Sequence, residues 1–316
     1  MTTTQAPLRP TAPPVTPGRV STSTRRENRD GLTMIGPTAV IICAVILVPI
    51  VWNVVLAFQD TSLATIVDRG LTGSFTLDNV VAVLTAPGFW SSLWVTVEYS
   101  VASTAGSILV GLIAALAFRR PFRGRGALRA FMLLPYVAPV VAVAFVWEML
   151  LNPQYGLVNA WGTSWLGWDE PVDFLGREPY ALLTVIAFEI WRYFPFAFLF
   201  FTARLVALPK ELEEAARVDG ATPSQSFRHV VLPQLLPTIA LLCLLRLIMT
   251  FNKFDDVYLL TGGTAGTQVA AVRVYDQLTG NLDIGGAAAN ALVLAVILGV
   301  SLFIYMRFFG RREYDA

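Results

Sequence analysis

Charged side chains, cysteine, histidine and lysine are all scarce in this chain, and each scarcity removes a class of function. Only 14% of its 316 residues are charged, too few to coat a water-soluble domain of this length. Both cysteines, Cys43 and Cys243, fall inside apolar runs, which leaves no disulfide framework and no thiolate metal site. The lone histidine, His229, has no second ligand near it in sequence, and this argues against a metal centre. Of the two lysines, Lys210 and Lys253, neither follows a glycine or precedes a serine or threonine, as the phosphate-binding loop of a nucleotide hydrolase requires. No Ser/His/Asp, Cys/His or Gly-x-Ser-x-Gly constellation occurs, and the chain does not fall into two similar halves of the secondary-transporter kind. An enzyme is therefore not expected. The chain is not expected to be its own nucleotide-driven motor.

What the sequence has is apolar length. Hydrophobic residues make up 55% of it and the mean hydropathy is +0.60. Six segments are each long enough to cross about 30 Å of hydrocarbon: Met34–Phe58, Leu93–Phe118, Leu128–Leu151, Ala181–Leu205, Leu235–Thr250 with a polar continuation, and Ala287–Phe309. The fold class this predicts is an all-α integral membrane protein with six transmembrane helices. Lysine and arginine fall unevenly around these segments: five precede the first, five follow the second, four follow the fourth and three lie at the end. The opposite side has only Arg69, Arg177 and Arg273. By the positive-inside rule, both termini and the loop at 208–237 are cytoplasmic. Residues 1–32, rich in Thr and Pro, are expected to be a disordered cytoplasmic tail, 33–310 the six-helix domain and 311–316 a short cytoplasmic tail. The apolar run after Arg25-Arg26 is too long for a signal-peptide core, so the first helix is expected to be retained. The basic connection from Arg119 to Gly126 lies between two spans, where it meets lipid headgroups rather than nucleic acid.

The polar island at 208–237 reads as two short helices joined by a turn. Pro209 opens the first, Glu211, Glu213 and Glu214 face its positive dipole end, and Gly220 is its left-handed stop. Thr222 is the N-cap of the second, Pro223 its first residue, and Gln225 closes a capping box. Leu212, Ala215 and Ala216 share one face, as do Phe227, Val230 and Val231, so the pair can fold against itself or a partner.

In this loop Glu214-Ala215-Ala216 is followed after three residues by Gly220, after nine more by Val230, and after one more by Leu232-Pro233. That pattern resembles the cytoplasmic loop of permease subunits of binding-protein-dependent ABC importers. The resemblance implies a type I importer permease in the bacterial cytoplasmic (inner) membrane, working with a second homologous permease, two ATPase subunits and an extracellular or periplasmic solute-binding protein. It also implies that Glu214, Ala215, Ala216, Asp219, Gly220, Ala221, Leu232 and Pro233 dock into a cleft on the ATPase. No cofactor is expected on the chain itself, ATP and Mg belonging to that ATPase.

Three further stretches are similar to the carbohydrate branch of the family: Pro87-Gly88-Phe89-Trp90, the run from Trp147 to Asn159, and Phe254-Asp255-Asp256-Val257-Tyr258-Leu259-Leu260-Thr261-Gly262-Gly263. The last is similar to the fifth-helix exit of the partner that resembles the larger maltose permease. It implies a sugar or sugar derivative as cargo, with Trp191, Arg192, Arg246, Asn252, Asp255 and Tyr258 as the expected substrate path. An intramembrane charge costs about 2.5–3.5 kcal/mol if unpaired. Glu189 and Arg192 are three apart and are expected to pair along their helix. Two alternatives stay open at this stage: a permease for a non-sugar solute, and a self-sufficient ion-coupled transporter.

Overall fold

The computed structural model describes the backbone of residues 22–69 and 73–309, and the side chains of residues 33–67 and 73–307. Within them the chain is helical, with only isolated antiparallel bridges such as Gln59 with Phe75. It divides into two compact units, one ending at Trp52 and the other starting at Asn53.

The first unit is most of helix α1 (Thr22–Ala57). Its apolar part, Thr33–Ala57, exposes large side chains such as Met34, Ile41, Val45 and Ile50 on every face. A helix that is hydrophobic all round belongs in lipid. It begins at Thr22, inside the stretch expected to be tail, while residues 1–21 and the expected tail at 311–316 lie outside the described residues.

The second unit takes in the last residues of α1 and then two short helices, α2 (Leu63–Arg69) and α3 (Asp78–Thr85), ahead of the long α4 (Pro87–Ala117). Then come α5 (Arg125–Val137), α6 (Val140–Leu151), α7 (Leu157–Trp165) and the long α8 (Tyr180–Ala207). The hairpin holds α9 (Lys210–Val218) and α10 (Pro223–Ser226), and a π-helical turn at Phe227–Val231 leads into α11 (Leu232–Phe251). The chain closes with α12 (Asp255–Thr261), α13 (Ala270–Thr279) and α14 (Ile284–Phe309).

Among the described residues five helices are long and apolar enough to span a membrane, and a sixth span results if α5 and α6 are one broken segment. Two expectations need correction here. The third segment is not one continuous helix, because α5 and α6 meet at 95°. Ala138 is extended (ψ 143°) and Pro139 follows it, as expected where a proline forbids its predecessor the helical region. The fifth span does not start near Leu235 either: it runs from Pro223 to Phe251 without leaving the helix. The second half of the hairpin is therefore the beginning of a transmembrane helix. Pro233 lacks the N–H its ladder needs, and the Leu232 N–H bonds back to Phe227 O, five residues away.

Helices α4 and α8 form the centre of this unit. One face of α4 carries Ser92, Thr96, Ser100, Ser103, Ser107 and Gly111, all buried and spaced three or four apart. Small residues at that spacing let two helix backbones approach closely in lipid. A Cβ on Gly111 would lie 2.6 Å from Ala197 Cβ and 2.8 Å from Phe198 N, both on α8.

Candidate functional site

The hairpin forms as its residue types dictate. Gly220 has φ +81°, its N–H donates to Arg217 O at 3.0 Å, and Ala221 N–H donates to Ala216 O at 2.9 Å. This pair of bonds is a Schellman motif, which requires the left-handed residue that glycine supplies without steric cost. Thr222 then caps α10: Gln225 N–H donates to its hydroxyl, and Thr222 N–H donates to Gln225 Oε1 at 2.8 Å. The apolar faces close on each other, with Leu208, Leu212, Val230 and Val231 lining the crease. Val231 is buried, whereas Glu214, Ala215, Asp219, Gly220 and Pro233 are exposed. Ala216, Ala221 and Leu232 are half-buried. The result is a short helix held on the core by one face, with Glu211, Glu214 and Ala215 turned outward.

A second constellation lies where α8, α11 and α12 meet. Glu189 does not pair with Arg192. Its Oε1 accepts from Arg246 Nη2 at 2.8 Å across from α11, and the two side chains are 0% and 1% exposed. Arg192 turns the other way and donates from Nη1 to Ala138 O at 3.3 Å, meeting the carbonyl at the break between α5 and α6. The reason for the exchange is tertiary: Arg246 reaches the carboxylate, while the broken third span presents a carbonyl in need of a donor.

Tyr193, one residue beyond Arg192, ties the cluster together, although sequence reasoning passed it over. Arg246 lies 4.1 Å, Lys253 4.7 Å and Arg192 5.7 Å from the centre of its ring, all within cation–π range. Lys253 Nζ also donates to its hydroxyl at 2.6 Å. Its sequence signal was the four-residue step from Glu189, which puts both on one face of α8. Lys253 pairs with Asp255 at 3.1 Å and with Asp256 at 3.5 Å. Asp256, also missed, is fully buried and neither of its carboxyl oxygens has a hydrogen-bond partner among the described residues. Burial, reinforced by the Glu189 carboxylate, pushes it well above the ordinary carboxylate range. For Lys253 burial works in the opposite sense, but Asp256, Glu189 and the Tyr193 hydroxyl outweigh it and raise the ammonium above its usual value.

The expected substrate path is thus only partly one place. Trp191 packs with Trp147 (5.5 Å between ring centres) and Phe188. Asn252 donates to Ile248 O at 3.0 Å, closing the end of its own helix. Tyr258 stacks on Phe254 at 4.8 Å and meets Tyr275 edge-on at 4.9 Å, and Asp255 remains partly open to solvent. These aromatic rings with neighbouring polar groups are the kind of surface on which sugars are held. Arg246 bonds to the buried Glu189, and Arg192 donates to the carbonyl at the helix break.

Comparison with known proteins places these features. Residues 107–313 match the family described as binding-protein-dependent transport system inner membrane component. The chain is 36% identical over 277 residues to the inner membrane ABC transporter permease protein YcjO of Escherichia coli strain K12, covering 87% of this chain and 92% of that one. It is 32% identical over 290 residues to the trehalose/maltose transport system permease protein MalF of Thermococcus litoralis, covering 92% and 96%. In fold it is similar to a chain of a bacterial alginate ABC transporter crystallised with an alginate pentasaccharide-bound periplasmic protein, with a TM-score of 0.76, 24% identity and coverage of 91% and 96%.

Proposed function

From the premise that this chain belongs to the family of binding-protein-dependent transport system inner membrane components, we propose that a separate ATPase drives it through the hairpin at 208–237. It is a permease subunit for sugar import, in line with its similarity to the trehalose/maltose permease over most of both chains. The observation that supports the coupling role is the hairpin itself. Its back is seated in the Leu208–Val231 crease, and Glu214, Ala215 and Asp219 face outward next to a helix that runs unbroken into a span. Docked on an ATPase, such a hairpin would convert closure of that partner into rigid-body rocking of the spans.

The assembly proposed is a heterodimer with a second permease, two ATPase subunits that hold the ATP and Mg, and a solute-binding protein outside. The exposed apolar side chains Val296, Val300, Phe303 and Ile304 of α14 leave surface for lipid and that second permease. The aromatic and polar group at Phe254, Asp255, Tyr258 and Tyr275 is the proposed contact with sugar, with Trp191 and Asn252 beside the same path.

Affinity purification of the tagged chain in mild detergent tests the coupling role. An ATPase and a second permease are expected to co-purify with wild type, and the ATPase to be lost with Glu214→Lys. A chain that purifies alone, or an ATPase indifferent to Glu214, would return weight to a self-sufficient transporter.

A further inference from the structure

The hairpin is joined to the spans on its two sides in unlike ways. At its far end the chain continues from Thr222 through α10 and the π-helical turn into α11, so a push there travels along a helix. At its near end α8 stops at Ala207, and Leu208 and Pro209 are both extended (ψ 132° and 126°). Helix α9 thus hangs on a link without helical backbone, about which a loaded helix can swing.

A side-chain fork from another element opposes that swing. Arg119, just beyond the end of α4, donates from Nη1 to Glu213 Oε2 at 3.0 Å and from Nη2 to Glu213 Oε1. Two parallel guanidinium–carboxylate bonds fix an angle as well as a distance. Glu213 faces the core with its side chain 15% exposed, whereas its neighbour Glu214 is exposed on the docking side. Arg119 stands at a junction: its N–H donates to Leu116 O at 3.2 Å, and Arg129 of α5 donates to the adjacent Phe118 O at 3.2 Å. One arginine therefore connects the hairpin to the end of the span packed against α8, and through Phe118 to the broken third span.

We propose that Arg119 and Glu213 form a strut that holds α9 at a fixed angle to α4, so that force on the hairpin moves the packed spans instead of swinging α9 about Leu208 and Pro209. The proposal rests on the coupling role assigned above to the hairpin. Both are positioning residues. A partly exposed pair adds little to stability, and neither residue lies on the outward face, so losing the strut leaves fold and docking intact while transmission fails.

The test uses the complex purified with its ATPases in lipid nanodiscs, with Cys43 and Cys243 replaced by serine. Spin labels go on Ala117→Cys in α4 and Val218→Cys in α9, both exposed positions. Pulsed electron resonance then reads their separation without nucleotide and with ATP plus vanadate. Wild type should give a narrow distance distribution in both states. Arg119→Ala and Glu213→Ala should each broaden it roughly twofold while retaining the ATPases, and Arg119→Glu combined with Glu213→Arg should narrow it again, as a pair that acts as a unit requires. Single variants no broader than wild type, a reversal as broad as the singles, or single variants that shed the ATPase would each overturn the strut. If wild type itself retains no ATPase, the coupling role of the hairpin falls as well; if it does, only the strut is lost.

Discussion

A carboxylate with no access to water has to be matched by a cation, because removing one partner of a buried pair leaves a charge costing about 3–5 kcal/mol. Glu189 is matched by Arg246 at 2.8 Å, while Arg192 serves the Ala138 carbonyl. Glu189→Gln and Arg246→Ala should therefore each destabilise the subunit by about 3–5 kcal/mol, with a coupling of about 1–3 kcal/mol in the double-mutant cycle. The Glu189/Arg192 cycle should be close to additive. Thermal unfolding in detergent checks both, and strong coupling in the second cycle would contradict the pairing. Asp256 supplies a pH dependence. Its raised pKa, caused by burial and then by Glu189, means that the folded state holds a proton the unfolded chain releases above about pH 4. Stability should thus decline as pH rises from there toward the raised value, and Asp256→Asn should remove the decline. The melting temperature of that variant relative to wild type is expected to be higher at about pH 8 than at about pH 5. An equal difference at both would show that Asp256 is ionised beside Lys253.

At the scale of elements, the chain relies on close approach in one place and on a break in another. Helices α4 and α8 touch through small residues, and a Cβ at Gly111 would fall within 3 Å of Ala197 Cβ, Phe198 N and Phe194 O. Because backbone atoms cannot give way as a side-chain tip does, Gly111→Ala should cost about 1–3 kcal/mol, as overpacking of a dense core does. Gly126→Ala in α5, where nothing lies within 4 Å, should be neutral or slightly stabilising. Comparing the yield and melting temperature of the two variants tests this; equal behaviour would mean that α4 and α8 are not in contact at that glycine. The hairpin elements were legible residue by residue. Gly220, Thr222, Pro223 and Gln225 take the turn and cap roles that their types and spacing predict, since these interactions span only a few residues. The π-helical turn was not legible, because Pro233 disturbs a ladder only if the helix continues through it, and its sequence places it equally well at the start of a new helix.

At the scale of the whole molecule, the uneven distribution of arginine predicts an orientation that can be measured. With a cysteine-free background in spheroplasts, a membrane-impermeant maleimide should label Trp165→Cys, which is highly exposed in α7, and leave Val218→Cys in α9 unlabelled until the membrane is opened. Labelling of Val218→Cys from outside would invert the topology and remove the hairpin from the compartment of the proposed ATPase. The sequence by itself determined the fold class, the spans to within a turn or two at most ends, the hairpin and its caps, and the family that its loop resembles. These depend on composition, on runs of apolar residues and on spacings of three to nine positions, all of which are local along the chain. Tertiary structure alone decided the partner of Glu189, the burial of Asp256, the gathering of Arg192, Arg246 and Lys253 around Tyr193, and the reach of Arg119 to Glu213. The physical reason is that a charged side chain in a low-dielectric core is satisfied by whichever group packing brings within hydrogen-bond reach, and sequence separation does not determine which group that is.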